Sequence, residues 1–100
     1  MPVQALSVFS LVSYLGNVTV DHDSDVPPYL QLAAILRDRI LSGEIPPRRP
    51  LPSMTTLQQE HGLARGTIRK AVGVLAAEGL VRIRPGWGTF VVPEADLPRT

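Results

Sequence analysis

Residues 53–79, SMTTLQQEHGLARGTIRKAVGVLAAEG, decide the fold. Ser53 is a good helix N-cap, because its hydroxyl accepts from the free amides of a first turn. Met54, Leu57, Gln58 and His61 follow at i, i+3, i+4 and i+7, the spacing of one helix face. Gly62 ends this short helix, and Leu63 is the apolar residue of a tight turn. The next helix starts near Ala64 or Arg65, with Ile68, Ala71, Val72 and Leu75 as its buried stripe and Gly79 as its stop. Arg65 and Arg69, four apart, share a face read as opposite the Ile68–Val72–Leu75 stripe, with Lys70 on its flank. Two helices separated by a short turn containing Gly make a helix-turn-helix.

Upstream, Pro27-Pro28 suits a helix entrance, since each ring fixes φ. Tyr29, Leu32, Ala33, Leu36 and Ile40 then form one continuous helical face, stopped at Ser42-Gly43. Residues 44–52, EIPPRRPLP, form a rigid proline-rich loop with one short extended piece around Leu51. Downstream, LVRIR at residues 80–84 alternates Val81 and Ile83 inward with Arg82 and Arg84 outward. Pro85-Gly86-Trp87-Gly88 is a turn, and TFVV at residues 89–92 returns as a second strand. A helix, a helix-turn-helix and a hairpin describe a mainly α fold with a small β-hairpin, the winged helix-turn-helix. Its recognition helix falls at about residues 64–78 and its wing at residues 80–92.

The expected domain spans residues 18–92. It opens on a short strand, Val18 to Val20, running into an acidic turn. Residues 1–17 are a leader of unassigned role, and residues 93–100 are a tail expected to fray. The apolar run from Ala5 to Leu15 has no preceding Lys or Arg and no small-residue cleavage site, so it reads poorly as a secretion signal.

A chain of 100 residues with 44% hydrophobic and 19% charged residues suits one small globular domain. With zero cysteines there is no disulfide scaffold, thiolate metal site or Cys nucleophile. His22 and His61 lack ligand spacing, so neither a metal nor a cofactor is expected. No catalytic residue is assigned: a Ser/His/Asp set, a carboxylate pair and a phosphate loop are all missing from the sequence. No run of 18 apolar residues is present, so no membrane span is expected.

The net charge of +1 hides an asymmetry. Before residue 37 the only charged side chains are Asp21, Asp23 and Asp25. Residues 37–92 carry Arg37, Arg39, Arg48, Arg49, Arg65, Arg69, Lys70, Arg82 and Arg84 against Asp38, Glu44, Glu60 and Glu78. A basic middle segment suits a polyanionic partner, although many such arginines only solvate a surface.

Taken jointly, YLQLAAILRDRILSGEIPP, LPS, HGLARGTIRKAVGVLAAEGLV and PGWGTFV resemble the DNA-binding domain of the GntR family of bacterial transcription regulators. The resemblance runs from Tyr29 to Val91. It implies a cytoplasmic, dimeric repressor or activator on a palindromic operator, usually with a C-terminal effector domain. Three departures stand out. The chain stops soon after the wing, so no effector domain is expected in it, and only weak pairing of two copies on DNA. Thr55 falls where an operator-contacting arginine is usual. Trp87 occupies a wing position that is commonly basic or polar.

The resemblance assigns Arg65 and Arg69 to operator contact, and an arginine pairs bidentately with guanine in the major groove. Thr67 either donates to a phosphate or caps the helix locally. Gly66 permits close approach. Lys70 is a phosphate clamp or a solvated flank. Arg82 and Arg84 hold phosphates or solvate the strand. Gly86 turns the hairpin and, in the family, approaches the minor groove. Trp87 stacks on sugar, meets a partner or folds back on the domain, the last being the expectation. Tyr29 and Phe90 read as core. The rival function is a winged-helix protein-interaction module that does not bind DNA.

Overall fold

The computed structural model describes residues 19–98. Three helices are followed by an antiparallel hairpin: α1 (Pro28–Leu41), α2 (Met54–His61), α3 (Arg65–Ala77), β1 (Val81–Arg84) and β2 (Gly88–Val91). The mainly α winged architecture expected from the sequence is the one observed. α1 packs along α3, while α2 and β1 rest on α3 from other sides, so α3 is the central element.

Local chemistry sets the helix ends. The Ser53 hydroxyl accepts from the Thr56 amide at 3.0 Å and donates to the Thr56 hydroxyl at 2.9 Å, closing the first turn of α2. Gly62, at φ +64°, ends α2 by turning left-handed, and its amide reaches the Gln58 carbonyl at 2.8 Å. α3 ends in a paired cap: the Leu80 amide bonds the Leu75 carbonyl, and the Gly79 amide bonds that of Ala76, both at 3.0 Å. That cap turns the chain into β1 and buries Leu80.

The core lies between α1 and α3, where Leu32, Leu36, Ile40, Ile68 and Leu75 are almost wholly buried. Each such side chain contributes roughly 1.5–3 kcal/mol by leaving water. Leu57 and Leu63 bring the helix-turn-helix into this core, and Val81 and Val91 bring in the base of the hairpin.

The hairpin pairs Val81 with Val91, Arg82 with Phe90, Ile83 with Thr89 and Arg84 with Gly88. The proline-rich loop adds a third rung, with Pro50 bridged to Phe90 and the Leu51 amide bonded to the Thr89 carbonyl at 2.9 Å. The extended piece expected around Leu51 is this rung.

Five expectations are corrected. Ile83 shares the inward parity of Val81 but is 56% exposed, because only the base of the hairpin lies over α3. Trp87 does not fold back: it is 79% exposed at the hairpin tip. Thr19 and Val20 form no strand; Val20 is buried as a single anchor, while Val18 lies outside the described residues. After the wing the chain does not fray at once. Glu94–Asp96 form a 3-10 turn, and Leu97 packs against the core. Tyr29 and Phe90, expected in the core, are both half-buried: Tyr29 packs against the core from its margin, while Phe90 lies on the outer face of the hairpin opposite Arg82.

Candidate nucleic-acid interface

α3 buries Ile68, Ala71, Val72 and Leu75, which turns the rest of its surface outward. Down the middle of that outward side run Gly66, Lys70, Gly73 and Ala77, at i, i+4, i+7 and i+11, all exposed. Arg65 and Arg69 lie along one edge of this stripe rather than opposite the buried face, and both are exposed. Gly73 was not singled out from the sequence. The signal was a glycine inside a helical pattern, a position where it weakens the helix and therefore calls for a reason.

The start of α3 is electropositive for two reasons. Ala64, the residue before it, supplies no side-chain cap, and the first turn contains no acidic residue. The free amides there carry the positive end of the helix dipole, and Arg65 adds a full charge beside them. Thr67 is half-buried in this turn, and its side chain does not take the cap role. Thr55 is exposed in the first turn of α2.

Ion pairing divides the cations into two groups. Arg37 donates from Nε and Nη2 to the two carboxylate oxygens of Glu78, at 2.8 and 2.6 Å, tying α1 to the end of α3. This pairing holds the Glu78 carboxyl below its ordinary range. Arg39 meets Glu44 at 3.5 Å, and Arg82 meets Asp96 at 2.9 Å. Among the described residues Arg65, Arg69, Arg48, Arg49 and Arg84 have no carboxylate within ion-pair distance. Lys70 holds its ammonium 4.5 Å from the centre of the Tyr29 ring, a cation–π contact that leans it toward α1.

The hairpin tip stands beside the helix-turn-helix. A groove of about 470 Å³ is lined by Met54 and Leu57 of α2 with its N-cap Ser53, Ile68 and Val72 of α3, and Trp87 with Thr89 of the wing. Gly86 turns the tip at φ +81°, with open space around it. Arg82 is set apart from these residues. Its strand parity puts it on the other face of the hairpin, against Asp96.

The stretch that builds this exposed helix and its projecting wing matches a known family. The family model for bacterial regulatory proteins of the gntR family matches residues 28–91. The chain belongs to the GntR family. Its similar relatives include the HTH-type transcriptional repressor NagR of Bacillus subtilis, 36% identical over 74% of this chain and 30% of the relative. Another is the mannosyl-D-glycerate transport/metabolism system repressor MngR of Escherichia coli, 37% identical over 68% of this chain and 28% of the relative. The chain thus spans about a third of the length of these GntR-type relatives or less. Among solved structures, the AraR DNA-binding domain in complex with operator ORX1 aligns with a TM-score of 0.68. It is 34% identical, covering 75% of this chain and 95% of that one. YtrA from Sulfolobus acidocaldarius, a GntR-family transcription factor, aligns at 0.65 and 31% identity over 75% of this chain and 78% of its own.

Proposed function

We propose that this chain is a sequence-specific DNA-binding module of a GntR-type transcription regulator, acting as a repressor. The observation that carries the reading is the outward side of α3: Gly66, Gly73 and Ala77 leave it smooth around Lys70, and it is edged by Arg65 and Arg69, which have no ion-pair partner among the described residues. A duplex can approach such a surface closely, and each arginine can pair with a guanine edge in the major groove. The AraR domain in complex with its operator supports the reading by likeness of fold and sequence.

In this reading Gly66 admits the duplex, and Thr67 and Lys70 contact phosphates beside the arginines. Thr55 contacts the duplex from α2, Gly86 brings the wing tip to the minor groove, and Arg82 holds a flanking phosphate. One winged module buries on the order of 600–1,000 Å² on DNA, a small interface. We therefore infer two weakly associated copies on a palindromic operator, in the cytoplasm. A protein-docking module would instead carry large apolar side chains on the stripe, where this chain has two glycines, a lysine and an alanine.

The test begins by enriching duplexes that the chain retains from a random-sequence pool. Gel-shift titration of the enriched duplex then compares the chain with Arg65→Ala and Arg69→Ala. Log affinity should fall linearly with log salt, with a slope near −0.9 per phosphate contacted. Stoichiometry by sedimentation should give two copies per palindrome. Failure to enrich any sequence, or binding indifferent to salt, overturns the assignment.

A further inference from the structure

The outer face of the wing carries a second basic site, away from α3. Arg82 and Arg84 share one strand face with Phe90, since residues two apart on a strand point the same way. The proline-rich loop brings Arg48 to the same place. Its amide bonds the Val91 carbonyl at 3.0 Å, and its backbone stands at φ +71°, a conformation that residues with a side chain seldom adopt. Arg48, Arg82, Arg84, Trp87, Phe90 and Pro93 line a cleft of about 350 Å³. The Asp96 carboxylate sits on the Arg82 guanidinium at 2.9 Å, supplied by the 3-10 turn that follows the wing.

We propose that this cleft is a DNA-phosphate site and that Asp96 occupies its arginine until DNA arrives. The inference rests on the DNA-binding reading above and deepens it. A carboxylate and a phosphodiester both present oxygen acceptors to the same fork of N–H donors, so each excludes the other at Arg82. Arg84 and Arg48 lack a carboxylate partner among the described residues and flank the exchange. Both members of the Arg82–Asp96 pair are about half exposed, so water weakens the pair and a phosphate within a strong polyanion can displace it. The site thus couples DNA binding to release of Asp96 from the wing.

The experiment is a double-mutant cycle on the full chain, with the duplex it enriches from a random pool. Asp96→Asn frees Arg82 and should tighten binding about two- to fivefold, the range that an exposed ion pair can oppose. Arg82→Ala should weaken binding and flatten the salt slope by about one. In the Arg82→Ala background, Asp96→Asn should tighten binding no more than Glu94→Gln does, because only the general charge effect remains. Glu94→Gln removes the same charge from the same turn without touching Arg82, so it should tighten binding less than Asp96→Asn. Equal gains from both neutral variants, or an Asp96→Asn gain that still exceeds the Glu94→Gln gain once Arg82 is Ala, mean that Asp96 does not act through Arg82 and overturn the site. If the chain binds the duplex through Arg65 but Asp96→Asn is neutral, only the phosphate site fails. If no duplex is retained, the DNA-binding reading fails, and this site with it.

Discussion

The Val20 amide donates to Nδ1 of His61 at 3.2 Å, which fastens the segment before α1 to the last residue of α2. With Nδ1 accepting, the neutral ring carries its proton on Nε2. That atom is buried and has no hydrogen-bond partner among the described residues, the Glu60 carboxylate standing 3.8 Å away. His22 adds a second tie, its Nε2 meeting the His61 carbonyl at 2.9 Å.

This arrangement predicts acid sensitivity. Burial pushes the His61 pKa below the ordinary 6.5; Glu60 opposes that shift and Arg39 adds to it. The unfolded chain therefore takes up the proton first as pH falls. The contribution of neutral His61 is complete above 6.5 and is lost as pH drops from 6.5 toward the folded value. The slope is at most about 1.4 kcal/mol per pH unit for one proton. Denaturant midpoints should fall between about pH 7 and pH 5.5. His61→Gln, which keeps an acceptor but does not titrate, should flatten the decline. A wild-type midpoint that stays level across this range contradicts the prediction.

Arg65→Ala and Arg69→Ala should each weaken binding to the enriched duplex by about 1–3 kcal/mol and relax base choice at one position. Neither side chain has an ion-pair partner among the described residues, so melting temperatures should stay unchanged. Loss of affinity without loss of selectivity would reassign them to phosphates.

Trp87 tests the wing tip. Being 79% exposed, it contributes little to folding, and Trp87→Ala should alter stability by less than about 0.5 kcal/mol. The wing tip borders the helix-turn-helix groove, where an exposed indole offers an apolar face to sugar edges. The substitution should therefore weaken duplex binding while leaving the salt slope unchanged, because no phosphate charge is neutralised by an indole. A flattened slope, or full affinity, removes Trp87 from the interface.

The three helices were legible because their apolar spacing and end signals agree: Ser53 and Gly62 for α2, Gly79 for α3. Packing at the edges was not legible. Strand parity predicts that Ile83 faces the same way as Val81, but whether anything lies beneath it depends on how far α3 extends under the hairpin. Trp87 differs for a related reason: a large apolar side chain argues for burial, but at this tip the indole borders open grooves on the helix-turn-helix and the outer wing without being covered by either. The Arg82–Asp96 pair joins residues fourteen apart that show no sequence pattern. Gly73, by contrast, is legible: a glycine inside a clear helical stripe signals a constraint other than helix stability.

That constraint gives the last prediction. Gly73 lies inside α3 with helical backbone, and a Cβ added there meets nothing within 4 Å. Gly73→Ala should therefore stabilise the free protein by about 0.5–1 kcal/mol, by restricting the unfolded chain and favouring the helix. Gly62 is the contrast: at φ +64° its replacement by Ala should destabilise, because the left-handed turn between α2 and α3 strains a side chain. The same Gly73→Ala methyl stands on the outward stripe between Lys70 and Ala77, where the duplex is proposed to approach. Binding should weaken while the melting temperature rises. Opposite signs for folding and binding separate a helix kept smooth for a partner from one with an incidental weak point. If the alanine variant is both more stable and equally tight on the enriched duplex, close approach at this stripe is wrong, and Arg65 and Arg69 must reach the DNA from their edge alone.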